Sequence, residues 1–139
     1  MAASLTQRQI DRLLEAARVV QQRAHAPYSK FLVGAAVLDE QDRVHAGCNV
    51  ENAAFPLGLC AEASAIGEMV AQGAKRVRAV LVLGDGKELV PPCGGCRQRL
   101  REFADADTPV LVADRNGVRA TFTLGELLPH SFGPENLKR

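Results

Sequence analysis

VRAVLVLGDGKELVPPCGGCRQRLREF, residues 77–103, decides the fold class. Its opening run, VRAVLVL at 77–83, has the length and apolar, β-branched content of a largely buried strand. Gly84-Asp85-Gly86 then turns the chain, and Pro91-Pro92 breaks it, because proline has no amide for a ladder or helix interior. A helix is expected from about Gly94 to Phe103, and PVLVA at 109–113 is the next strand run. Strand, helix and strand in succession point to an α/β domain with a mixed sheet covered on its faces.

Downstream, PVLVA and VRATFT flank Asp114-Arg115-Asn116-Gly117. Asn-Gly between two strand runs is a hairpin signal, so the last two strands should be antiparallel. Upstream, FLVGAAVL at 31–38 is a continuous apolar run and is expected to be a buried strand. A polar turn at Asp39 to Asp42 leads into RVHAGCNVE, where Val44, Ala46, Cys48 and Val50 alternate with polar or small residues. That period of two places Asn49 and Glu51 on one polar face and Cys48 on the other. A loop with Pro56 and Gly58 precedes a helix over about 60–72. A first helix is expected over about 6–24, ended by Pro27. Thr6 and Gln9 form its capping box, Leu5 and Ile10 a hydrophobic staple, and Ile10, Leu13, Leu14 and Ala17 its apolar stripe. Strand order does not follow from these patterns.

The 139 residues suit one compact domain spanning 1–139, and 47% apolar content is ordinary for a globular chain. A net charge of +1 with mixed signs gives no electrostatic case for a nucleic-acid or membrane partner. No apolar stretch is long enough to span a bilayer. MAASLTQRQI lacks the build of a signal peptide, so the expected location is cytoplasmic. In that compartment the four cysteines read as thiols or metal ligands rather than disulfides.

Three of those cysteines carry the chemistry. Cys93 and Cys96 form a CxxC at an expected helix start, Cys60 opens another helix, and Glu62 follows it after one residue. Thiolates suit zinc, and a catalytic zinc keeps three protein ligands and one open position for an acidified water. Helix N-termini favour the thiolate form, and a carboxylate beside the water could carry protons. CxxC alone is equally compatible with redox chemistry, a structural zinc or core cysteines. CxE followed by PCxxC is the signature of zinc deaminases acting on nucleobases. Cys48 has two readings: a fourth ligand closing a structural Cys₄ site, or a small buried hydrophobe on the apolar face of its strand. Glu62 taken alone would be a helix N-terminal acid suited to the dipole.

APYSKFLVGAAV, GCNVENAAFPLGLCAE, PPCGGCRQRLREF and LLPHSFGPENL, in that order, resemble the small homotetrameric class of cytidine deaminases over nearly the whole chain. The resemblance implies a three-layer α/β/α sandwich with a five-stranded mixed sheet and one Zn²⁺ per subunit. It implies hydrolytic deamination of cytidine and deoxycytidine in pyrimidine salvage, by attack of an activated water on C4. Cys60, Cys93 and Cys96 match the zinc ligands, and Glu62 the proton shuttle. Asn49 and Glu51 match residues that bind the ribose hydroxyl, and Ala61 is expected among the substrate-binding residues. Phe31 and Phe132 match aromatics that pack on the base. Ala53 and Phe55 match residues that a neighbouring subunit lends to the site.

Two positions depart from the family pattern. Many relatives carry arginine directly after the catalytic glutamate, where this chain has Ala63. Three thiolates on one Zn²⁺ leave a net negative charge that weakens the metal as a Lewis acid. Arg97, next to Cys96, is expected to compensate it, together with the two helix N-termini. Phe55 stands where many relatives carry tyrosine, so that hydroxyl is missing. His25, His45 and His130 lack ligand spacing and read as surface or structural residues. Lys75-Arg76-Val77-Arg78 reads as a solvated edge, and Arg99 and Arg101 as an exposed helix face.

Overall fold

The computed structural model describes residues 4–137. The first helix, α1 (Gln7–Gln21), starts where its caps dictate. The Thr6 side chain accepts from the Gln9 amide, and the Gln9 side chain accepts from the Thr6 amide. Leu5 and Ile10 pack with Leu13 and Ala17 against one face of the sheet. The helix stops at Gln21, earlier than the expected end near 24.

The strands are β1 (Gly34–Asp39), β2 (Val44–Cys48), β3 (Val77–Leu83), β4 (Pro109–Asp114) and β5 (Gly117–Thr123), in the spatial order β2-β1-β3-β4-β5. Only the β3·β4 pair is parallel. Helix α2 (Ala61–Ala71) lies between β2 and β3 in sequence, α3 (Gly94–Phe103) connects the parallel pair, and the short α4 (Leu124–Leu127) follows β5. A parallel pair needs such a crossover, whereas β4 and β5 need only a tight turn.

The sheet separates two apolar layers by strand parity. Ala35, Val37, Val80, Val82 and Val110 face Ala65, Ile66 and Met69 of α2 and Leu100 of α3. Ala36, Leu38, Leu81, Leu83 and Leu111 face α1. The result is the expected three-layer α/β/α sandwich, and the same parity explains why β1 and β3 are apolar along both faces.

The structure shortens two expected strands. Residues 31–33 lie outside the sheet, because Asn49 takes the backbone groups a neighbouring strand would have used. Its Oδ1 accepts from the Val33 amide and its Nδ2 donates to the Phe31 carbonyl, each at 2.8 Å. β2 correspondingly ends at Cys48. Gly34 opens β1 where the backbone passes so close to α1 that a Cβ would overlap the Ala17 carbonyl.

The expected polar face of β2 is also covered. His45 and Gly47 are buried beneath α2, and His45 Nε2 lies 2.7 Å from Asp39 Oδ2. Gly47 admits that contact because a Cβ there would overlap Ser64 and Ala65. In the hairpin, Asp114 pairs with Gly117, so Arg115 and Asn116 are the central residues rather than Asn116 and Gly117. Gly117 instead supplies a positive φ of 123° at the first residue of β5.

Candidate metal centre

Cys60 and Cys93 are the N-cap residues of α2 and α3, and Cys96 lies in the first turn of α3. Their sulfurs all lie within 4.8 Å of one another. The Cys60 and Cys93 sulfurs are 3.8 Å apart, which is about the edge of a tetrahedron with ~2.3 Å zinc–sulfur arms. The donor set and its spacing therefore fit zinc. Among the described residues these three cysteines are the only such group, and Cys48 is not part of it. Cys48 sits at the end of β2, where its carbonyl accepts from Ser64 Oγ at 3.0 Å. The closed Cys₄ arrangement has no counterpart in the structure.

Two helix starts converge on the sulfurs, so their unpaired amides bring partial positive charge to the cluster. Burial pushes the Cys93 thiol up, but the Cys96 amide and the neighbouring thiols outweigh it and hold Cys93 below its ordinary value. Burial dominates at Cys60 and Cys96 and raises both. Uptake of a cation by all three sulfurs would thus release protons.

Glu62 is 4% exposed. Burial raises its carboxyl, with its own amide, the Cys96 thiol and the charge of Arg99 opposing. A buried carboxyl whose protonated form is favoured can both take up and deliver a proton. It lines a cavity of about 380 Å³ together with Cys60, Cys93, Ala61, Asn49, Glu51 and Phe55. Val33, Val82, Val90 and Pro91 add an apolar wall that the motifs did not disclose.

Glu51 Oε1 accepts from the Tyr28 and Ser29 amides at 3.0 and 3.1 Å. With Asn49 it ties the segment 28–33 to the cavity rim. Phe31, Ala53 and Phe132 do not line this cavity. Phe132 lines a separate cavity with Gln98, Glu102, Gly133 and Leu137, and its carbonyl accepts from Gln98 Nε2 at 2.9 Å.

The expectation for Arg97 is corrected. Its Nε donates to the Pro92 carbonyl at 2.8 Å and its Nη1 to the Leu127 carbonyl at 2.9 Å. Arg99, expected only on an exposed face, donates from Nη1 to Cys96 Sγ at 3.4 Å. The reason is helical geometry: residues three apart share a face, whereas adjacent residues diverge. That three-residue spacing is legible in the sequence, and in a helix it outweighs adjacency along the chain.

Comparison with known proteins places this geometry in a family. Residues 7–112 match the family described as the cytidine and deoxycytidylate deaminase zinc-binding region. The chain is 37% identical to a cytidine deaminase of Sporosarcina psychrophila over 128 residues, covering 92% of this chain and 94% of that protein. It is 40% identical to a cytidine deaminase of Halalkalibacterium halodurans over 125 residues, covering 90% and 95%. A crystal structure of cytidine deaminase from Burkholderia pseudomallei superposes with a TM-score of 0.82 at 37% identity, covering 92% of this chain and all of that one.

Proposed function

Because this chain belongs to the cytidine and deoxycytidylate deaminase family, we propose that it hydrolyses the exocyclic amine of cytidine and deoxycytidine, releasing ammonia and leaving uridine or deoxyuridine. The observation that carries this reading is the meeting of three clustered sulfurs, buried Glu62 and the Asn49–Glu51 pair at one cavity. Cys60, Cys93 and Cys96 would hold one zinc ion per subunit. Zinc bound there would supply an acidified water for attack on the pyrimidine C4.

The chain's own residues do the rest. Glu62 takes one proton from the attacking water and passes it to N3 of the base. It then takes the remaining proton from the hydroxyl added at C4 and delivers it to the amine nitrogen, so that the C4–N bond breaks, ammonia leaves and a C4 carbonyl remains. Its burial keeps bulk water from competing for those protons. Ala61, with a small side chain at the cavity wall, leaves room for the base. Glu51 has one oxygen held by two amides, which orients the carboxylate, and it retains lone pairs for a ribose hydroxyl. Asn49, clamped by the Phe31 and Val33 backbone, keeps a second N–H for the same sugar. Two such polar groups support a free nucleoside, and a carboxylate at the rim disfavours a nearby phosphate.

We further propose a homotetramer with shared sites. Tyr28, Phe55, Leu57 and Leu59 are exposed beside the cavity, and such an apolar group favours cover by another subunit. Phe55, with Ala53, would extend into a neighbour's site as well as lining its own. Phe31 and Phe132 would contact the base only once subunits assemble or substrate binds. A cytoplasmic place in pyrimidine salvage suits this substrate class. The test is the absorbance loss as cytidine becomes uridine, with the zinc content of the same sample. Zinc-loaded protein that turns over neither nucleoside would overturn the reading.

A further inference from the structure

Three thiolates around one divalent zinc carry a net charge of −1, and Glu62 adds a carboxyl beside them. An electron-rich cluster is a poor Lewis acid unless cations or hydrogen-bond donors withdraw charge from the sulfurs. Ala63 has no donor to offer, and Arg97 is committed to the Pro92 and Leu127 carbonyls. Arg99 lies one helical turn beyond Cys96, and its Nη1 is 3.4 Å from that sulfur. Cys96 is fully buried, and Arg99 reaches its sulfur from the exposed side of α3.

Building on the deaminase reading above, we propose that Arg99 is a positioning residue for the reaction, whose guanidinium draws charge out of the sulfur cluster through Cys96 and so keeps a bound zinc able to activate water. Arg99 acts on the ligand and not on the substrate. The cation therefore comes from α3, whereas an arginine at position 63 would have supplied it from α2.

The experiment uses the full chain loaded with cobalt(II), and separately with zinc, as wild type, R99A, R99K and R99M. Sulfur-to-cobalt charge-transfer absorption reads the electron richness of the thiolates without substrate. In R99A and R99M this band is expected to move to longer wavelength, because a thiolate without its donor gives up an electron more readily. R99K should shift it less. Zinc content should stay at the wild-type level while kcat falls roughly 10- to 100-fold, with KM for cytidine much less changed. R99M keeps the aliphatic stem, so it separates lost charge from lost packing. A band that stays at the wild-type wavelength in both neutral variants, or a kcat per bound zinc equal to wild type, would overturn the proposal. A wild-type protein that binds cobalt and shows the band shift on substitution but turns over no nucleoside would instead overturn the deaminase reading.

Discussion

Glu62→Gln separates chemistry from structure at a single residue. The amide keeps the size of the side chain but cannot carry a proton. Its kcat for cytidine should fall by about 10²- to 10⁴-fold, while circular dichroism and zinc content stay at wild-type values. If the variant keeps the wild-type kcat, Glu62 is not the proton carrier. Cys48→Ala should retain all of its zinc, since Cys48 lies outside the sulfur cluster. Loss of zinc from it would restore the four-cysteine reading.

Asp39 governs a different property. Burial would raise its carboxyl, but hydrogen bonds from His45, the Arg43 and Gln41 amides, and the Arg43 guanidinium outweigh it and hold it at about 2, below the ordinary 3.8. A folded-state value below the unfolded one stabilises the protein above the unfolded value, and that stability is lost as pH falls through the folded one. The shift corresponds to about 2 kcal/mol, lost between about pH 4 and pH 2. Urea denaturation at stepped pH should show this slope in the wild type and a flatter one in Asp39→Asn.

At the scale of elements, short-range signals were legible and long-range substitutes for them were not. The α1 start and the full span of α3 follow from caps, a Pro-Pro break and local apolar spacing, all acting within a few residues. Thr6→Ala should cost about 1 kcal/mol of stability, read as a lowered Tm with unchanged activity per folded molecule. The FLV portion of 31–38 has strand composition, yet a side chain from 16 or 18 residues away occupies its hydrogen-bonding groups. No periodicity in either segment reports such a pairing. The polar alternation in β2 suggested a solvated face, but His45 is buried with a carboxylate partner, Asp39, at the end of the neighbouring β1. Burial of a polar side chain depends on that partner being present, and pattern alone does not reveal it. Arg97 and Arg99 show the same limit at finer scale, since helix phase outweighed sequence adjacency.

For the whole molecule, the chemistry of assembly is the open physical consequence. Phe55 and Leu57 are 74% and 68% exposed beside the cavity. Light scattering should report a mass near four chains, and Leu57→Asp should shift it toward smaller species with reduced turnover. A fully active monomer would contradict sites shared between subunits.

The sequence by itself determined the alternation of strands and helices, the three cysteines whose sulfurs cluster, Glu62 beside them, and the polar residues Asn49 and Glu51. These depend on residue type and on spacing within a few turns, which the chain carries locally. Only the tertiary structure decided the strand order, the clamping of residues 28–33 by Asn49 and Glu51, the exclusion of Cys48 from the cluster and the choice of Arg99 over Arg97. Each of these is a contact between side chains and backbone brought together by packing, whose partners local sequence patterns do not specify.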